Sequence, residues 1–231
     1  MTGALLPLRR SRYAADLLVL LIAAVLLIFY YVPRADLIGV SSATRGWAAM
    51  TLRAVPSWIH FVAAALLLGV LPVVVARALT GLSLTQLGLG LGNLRGGLIL
   101  VAAGTPLAIL AGAIGAASPT MRAVYPLFPG AAGVGFVGYA LMQFLYFGAW
   151  EVLFRGVLLF GLRPRLGNGT ANVLQTALSV TAHFGRAINE TASALPAGLV
   201  FGWVGLRLGS IWYVAILHWI VGVSMDWFIL H

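Results

Sequence analysis

Seven apolar runs divide the chain, at approximately 14–32, 58–79, 97–117, 134–162, 170–184, 194–206 and 210–230. A bilayer's hydrocarbon core, roughly 30 Å thick, is crossed by about 20 apolar residues of helix. Inside it every backbone polar group has to be paired within the structure, so only helices and closed barrels span. None of the runs alternates apolar and polar residues as a barrel strand does. The expected fold is therefore all-α: a polytopic transmembrane helical bundle of about seven spans, forming a single integral membrane domain over 1–231. Residues 42–53, with Trp47 and two arginines, read as a short interfacial helix, which would make eight. Only 8% of the residues are charged, against roughly 25% in soluble domains.

The formal charge is +9 and every basic residue is Arg, a bias that fits a GC-rich coding sequence. The arginines lie scattered at span ends, which argues against a nucleic-acid partner. There is no cysteine, so disulfides, thiol nucleophiles and thiolate metal sites are excluded. Arg9, Arg10 and Arg12 precede the first span and no small-residue cleavage site follows it, so that span reads as retained. Arg77, Arg95, Arg163, Arg165 and Arg207 fall on the same side as those three. The positive-inside rule then puts the N-terminus in the cytoplasm, with the bacterial inner membrane as the expected location. Arg34, Arg45 and Arg53 in the first outer loop run against this count, and Arg122, Arg186 and Glu190 share the outer side. The Gly-rich connector 80–97 has no strand before it, so it is not a dinucleotide loop. Gly198/Gly202 and Gly205/Gly209 are spaced for close helix packing.

Ionisable groups inside a membrane are costly and usually functional. The candidates are Asp16, Glu151, Arg155, His183, His218 and Asp226. Glu151 and Arg155 are spaced i,i+4 and can pair on one helix face. Gly167-Asn168-Gly169 has turn chemistry, and Glu151 and His183 each lie 16 residues from Gly167 on opposite sides. At ~1.5 Å per residue both are ~24 Å along antiparallel helices from that turn, hence level with each other. His218, nine residues past Gly209, is ~13 Å along its helix from the same side. One carboxylate and two imidazoles in an apolar site form an inventory for hydrolysis: a base for water and donors for an oxyanion. The same three groups also match a catalytic zinc site with an open position, and a Glu–Arg pair in a bundle also serves as packing glue.

At these residues the chain resembles the CAAX protease and bacteriocin-processing (CPBP, or Abi) family of intramembrane proteases, which includes the type II CAAX prenyl endopeptidases. "WEVLFRG" (150–156) resembles its EExxxR motif, "SVTAH" ending at His183 its FxxxH motif, and "HWIVG" from His218 its HxxxN motif. The resemblance spans about 77–228. It implies catalytic roles for Glu151, His183 and His218, with Arg155 orienting Glu151. The family's first Glu, its proposed water-activating base, falls on Trp150, its motif-two Phe on Ser179, and its motif-three Asn on Gly222. Asp226, Ser224 and Gln143 are the candidate replacements for that Asn.

The expected function is an intramembrane endopeptidase. Glu151 would activate water, His183 position it and His218 stabilise the oxyanion, with no metal and no other cofactor. Zinc held by Glu151, His183 and His218 is the alternative. The expected partners are the lipid bilayer and a membrane-anchored protein or peptide substrate. The competing readings are a catalytically inactive family member acting as scaffold, immunity factor or partner-binding protein, and a proton-relay transporter.

Overall fold

A computed structural model describes residues 14–31, 57–126, 131–184 and 186–231. The expected interfacial helix at 42–53 and the N-terminal arginines, as well as Arg34, lie outside them. Among the described residues the fold is entirely helical. The helices are α1 (Ala14–Tyr31), α2 (57–80, with a π-helical section Ala65–Val70), α3 (Leu94–Ala117) and the short α4 (Pro119–Arg122). The helical run Ala131–Glu151 breaks at Gly135 and continues through a second π-helical section, Val152–Phe160, into Gly161–Thr181. That continuation breaks at Gly167 (φ 76°, ψ 163°), a left-handed φ that glycine adopts freely. It therefore divides into α5 (136–166) and α6 (168–181). α7 (Ile188–Leu208) and α8 (Trp212–Leu230) complete the chain.

Five stretches are long and apolar enough to cross a membrane: Phe61–Thr80, Leu94–Ala117, Gly135–Thr181, Ile188–Leu208 and Trp212–Leu230. The third is the α5–α6 pair, turned where the Gly-Asn-Gly sequence predicts. α1 is apolar over Asp16–Val25. Two boundaries differ from the expected ones. The fifth span stops at Thr181, short of 184, and the sixth starts at Ile188, before 194. Its first turn carries the polar residues Asn189 and Glu190, which hid it from an apolar-run reading.

α5 is the hub, and every residue from 146 to 162 is buried. A helix that is apolar all round belongs inside a bundle. Leu18 and Ile22 of α1, Phe61 and Leu68 of α2 and Ala171 of α6 join its core. The outer faces are equally apolar. Leu107, Ile114, Val137, Val173 and Trp203 are exposed, as lipid-facing side chains should be. α8 packs along α3 on a stripe of small residues: a Cβ at Gly97 would meet the Tyr213 ring, and one at Gly112 the Ser224 hydroxyl. On α7, Gly198 lies against Thr176 and Gly202 against Asn172 and Gln175 of α6, the close approach that their spacing predicts.

The Gly-rich connector is a docking strap. Ile211 N–H donates to the Gly88 carbonyl (3.0 Å), Trp212 Nε1 to Leu89 O (2.9 Å) and Tyr213 OH to Leu91 O (2.6 Å). Those bonds anchor the start of α8 and set the height of His218, two turns further on.

Candidate active site

Glu151 stands where α5 changes pitch, and Arg155 lies within the π-helical section. Single π-type turns are rare and frequent at functional sites. Arg155 Nη1 donates to Glu151 Oε1 at 3.1 Å, the pairing that i,i+4 spacing predicts. His218 Nδ1 meets the same oxygen at 2.7 Å. A carboxylate only accepts, so Nδ1 is the protonated nitrogen of that contact and Nε2, across the ring, is left to the cleft beside it. Glu151 is completely buried, whereas the His218 side chain is 26% exposed.

The depth difference expected between His218 and Glu151 from their distances to the turns is not found. Residues 164–170 at the hairpin tip are exposed, and the 2.7 Å contact puts Glu151 and His218 at one depth.

His183 follows the end of α6. Its Nδ1 donates to the Ser179 carbonyl at 2.7 Å, which fixes the tautomer and leaves the Nε2 lone pair facing Glu190 Oε1 at 3.8 Å. Burial pushes this imidazole, beyond the end of the α6 span, down to about 4, so it is neutral at neutral pH. Both histidines line one small cleft, with Trp150, Phe147, Arg186 and Glu190. The Trp150 ring stands edge-on to His183 with centroids 5.1 Å apart, and Phe147 lies 4.7 Å from the His218 ring.

The chain thus brings Glu151, Arg155 and His218 into one hydrogen-bonded line, and His183 and His218 onto one cleft. It does not bring Glu151 to that cleft. The level match between 151 and 183 holds, but adjacent helical positions point ~100° apart. The direction towards His183 belongs to Trp150. Asp226 also stays away: its Oδ2 accepts from Tyr139 OH (2.9 Å) and Gln143 Nε2 (2.8 Å), all three buried. Ser224 donates to the Ile220 carbonyl at 2.7 Å. None of the three candidate replacements for the motif-three Asn lines the cleft. Nor does position 222 admit the Asn itself, because a Cβ there would run into the Phe147 ring.

Sequence reasoning left out Arg186, Glu190, Tyr125 and Tyr146. Tyr125 OH donates to Glu190 Oε1 (2.8 Å), and Arg186 Nη1 reaches the same carboxylate oxygen (3.4 Å). Arg186 Nη2 donates to Tyr146 OH at 3.1 Å. The available signal was a second i,i+4 Arg–Glu pair, three residues past His183. Among the described residues no three His, Asp or Glu side chains group around one point as metal ligands. The zinc set Glu151–His183–His218 is not assembled, since His183 turns to Glu190 and His218 to Glu151.

No curated protein and no solved structure matches the chain. Residues 127–224, covering α5 to most of α8, match the family model described as type II CAAX prenyl endopeptidase Rce1-like. The matched residues include Glu151, Arg155, His183 and His218, and over them the chain is similar to that endopeptidase family.

Proposed function

We propose that this chain is a working endopeptidase that hydrolyses a peptide bond in a membrane-anchored protein or peptide, and that the cleft between His183 and His218 is its active site. One observation carries the reading: two imidazoles, one just past the end of α6 and one on α8, face a single cleft, each with its Nδ1 held by a partner behind it. His183, neutral and with a bare Nε2, positions the attacking water. His218 donates Nε2–H to the oxyanion, with its Nδ1 held by the Glu151 carboxylate. Arg155 balances the buried carboxylate. Such oriented donors in a water-poor site are commonly worth about 10²–10³ in rate. Glu151 works here through His218, so removal of the water's proton falls to a group on the cleft wall. No metal takes part.

The arginine count adds sidedness. With the N-terminus and the 81–93 connector on the cytoplasmic side of the bacterial inner membrane, the cleft opens on the opposite face, among α4 and the α6–α7 turn. Substrate reaches it from there. Because the chain has no cysteine, a single Ser118→Cys variant can report this: an impermeant maleimide should label it from outside intact cells.

The test uses purified protein in lipid vesicles with three quenched peptides: a farnesylated CAAX peptide, an acylated leader peptide, and a peptide ending in a membrane helix. Cleavage of at least one by the wild type, with His183→Ala and His218→Ala each slowed at least about 100-fold, supports the reading. No cleavage of any, or wild-type rates in either variant, overturns it.

A second reading has one observation in its favour. The Trp150 indole occupies the direction in which the family's first carboxylate points, and Glu151 is sealed from the cleft. On that reading the chain is an inactive family member that binds a membrane partner, and the same panel tells the two apart.

A further inference from the structure

The proposed hydrolysis lacks a base on the cleft wall, and α7 supplies a carboxylate there. We infer that Glu190 is the catalytic base, taking over from α7 the task that Trp150 cannot perform on α5. This rests on the peptidase reading above.

Three features of the site lead to it. First, position fits. Glu190 and His183 line the same cleft, and Glu190 Oε1 lies 3.8 Å from His183 Nε2. With Nδ1 of His183 donating to Ser179, Nε2 is an acceptor, as is the carboxylate. The two acceptors are too far apart for a direct hydrogen bond, and a substrate water seated between them would donate to both. Such a water keeps a lone pair for attack.

Second, the carboxylate is held. Tyr125 OH and Arg186 Nη1 both donate to Oε1, and Asn189 next to it is tied to α4 through Ser118 Oγ (3.0 Å) and Thr120 Oγ1 (3.2 Å). Thr191 Oγ1 donates to the His183 carbonyl at 2.9 Å, coupling the backbone around Glu190 to that of the histidine it faces. Third, Oε2 of Glu190 is buried and has no hydrogen-bond partner among the described residues. An orphaned carboxylate oxygen is expensive to bury, and in an active site it is the natural seat for a proton in transit. Glu151 also has an unpartnered Oε2, but it is walled off from the cleft.

The step balances as follows. Glu190 takes one proton from the water as the water oxygen bonds to the scissile carbonyl carbon, and the carbonyl oxygen becomes an oxyanion held by His218 Nε2–H. When the C–N bond breaks, the proton on Glu190 passes to the departing amine. The carboxylate is regenerated and His218 keeps its proton throughout.

The experiment measures kcat and KM on whichever of the three peptides the wild type cleaves, together with the melting temperature of each variant in detergent. Glu190→Gln should lower kcat by about 10²–10⁴-fold with KM within about twofold and an unchanged melting temperature. Trp150→Glu combined with Glu190→Gln should recover at least about a tenth of the wild-type kcat, by restoring a carboxylate to the family position. Glu190→Gln within about threefold of wild type, while His218→Ala is inactive, overturns the inference and leaves the peptidase reading standing. Loss in Glu190→Gln with a lowered melting temperature and no rescue by Trp150→Glu makes Glu190 a structural clamp, and also overturns it. Equal rates for wild type and His218→Ala remove the peptidase reading, and this inference with it.

Discussion

Two Arg–Glu pairs spaced i,i+4 flank the same cleft, and their surroundings make them different devices. Glu151–Arg155 lies inside α5, where the side chains are 0% and 3% exposed. Arg186–Glu190 runs in the opposite order across the entry to α7, lines the cleft and is slightly more open. The inner pair has no access to water. What it offers the cleft is an oriented His218. The outer pair lines the cleft and has a tyrosine on the same carboxylate oxygen. The lesson is that in a lipid-facing chain a carboxylate's depth along its helix says less about its role than the direction in which it points. Trp150 faces the cleft and Glu151, one position on, faces His218.

The comparison is broken most sharply by unpairing the inner ions. Arg155→Met leaves Glu151 buried and uncompensated, which typically costs about 3–5 kcal/mol. The variant should lose most of its yield in membranes and unfold at much lower temperature in detergent. Glu151→Leu together with Arg155→Met removes both charges and should recover most of that stability, yet remain inactive because His218 has lost its carboxylate. If the double variant is as unstable as the single one, the inner pair is worth more than its mutual neutralisation. If it keeps wild-type cleavage, the support role assigned to Glu151 is wrong.

How far the sequence could have led to this picture differs between the two pairs. The apolar runs, the Gly167 break and the close α6–α7 packing at Gly198 and Gly202 were all readable, because each follows from a local rule about length, turn chemistry or side-chain size. The Glu151–Arg155 contact was readable for the same reason. The Glu151–His218 bond was half readable: the residues were identified, but that they meet at one depth is a tertiary fact. Glu190 was passed over. It lies in a polar turn between spans, where hydropathy gives no signal, and its charge was counted towards orientation. What distinguishes it is the approach of Tyr125 from 65 residues away, which no local pattern encodes. The Asn candidates failed for a related reason. Asp226, Ser224 and Gln143 share the right faces, but each is already bonded elsewhere.

Position 222 tests whether the cleft has settled into a form of its own. Gly222→Asn drives a side chain into the Phe147 ring, which flanks His218, and overpacking of this kind costs about 1–3 kcal/mol. Melting curves should show that destabilisation in the wild-type background and a smaller one when Phe147 is Ala. An equal cost in both backgrounds would mean that the ring yields without strain, and that Gly222 is not fixed by Phe147.

A smaller effect is expected at Asp226. Both of its hydrogen bonds, from Tyr139 and Gln143, go to the single oxygen Oδ2. Asparagine can offer one carbonyl oxygen to the same two donors, so Asp226→Asn should leave cleavage within about twofold of wild type. A loss comparable to that of His218→Ala would bring this buried cluster into the chemistry and make the cleft a three-part site.

The smallest effect should come from removing metal. The two imidazoles engage different carboxylates: Nδ1 of His218 is occupied by Glu151, and Nε2 of His183 faces Glu190. For one zinc ion to collect Glu151, His183 and His218, the first would have to turn out of α5 past Trp150, and His218 would have to exchange its 2.7 Å bond for a metal contact. Structural and catalytic zinc sites instead hold three or four ligands about 2.0–2.3 Å from a common point. Exhaustive chelation, with dialysis against both EDTA and phenanthroline, should therefore leave kcat unchanged. Activity lost on chelation and restored by zinc alone would mean that the inner and outer regions close together around an ion. The division of labour between Glu151 and Glu190 would then give way to a single shared ligand set.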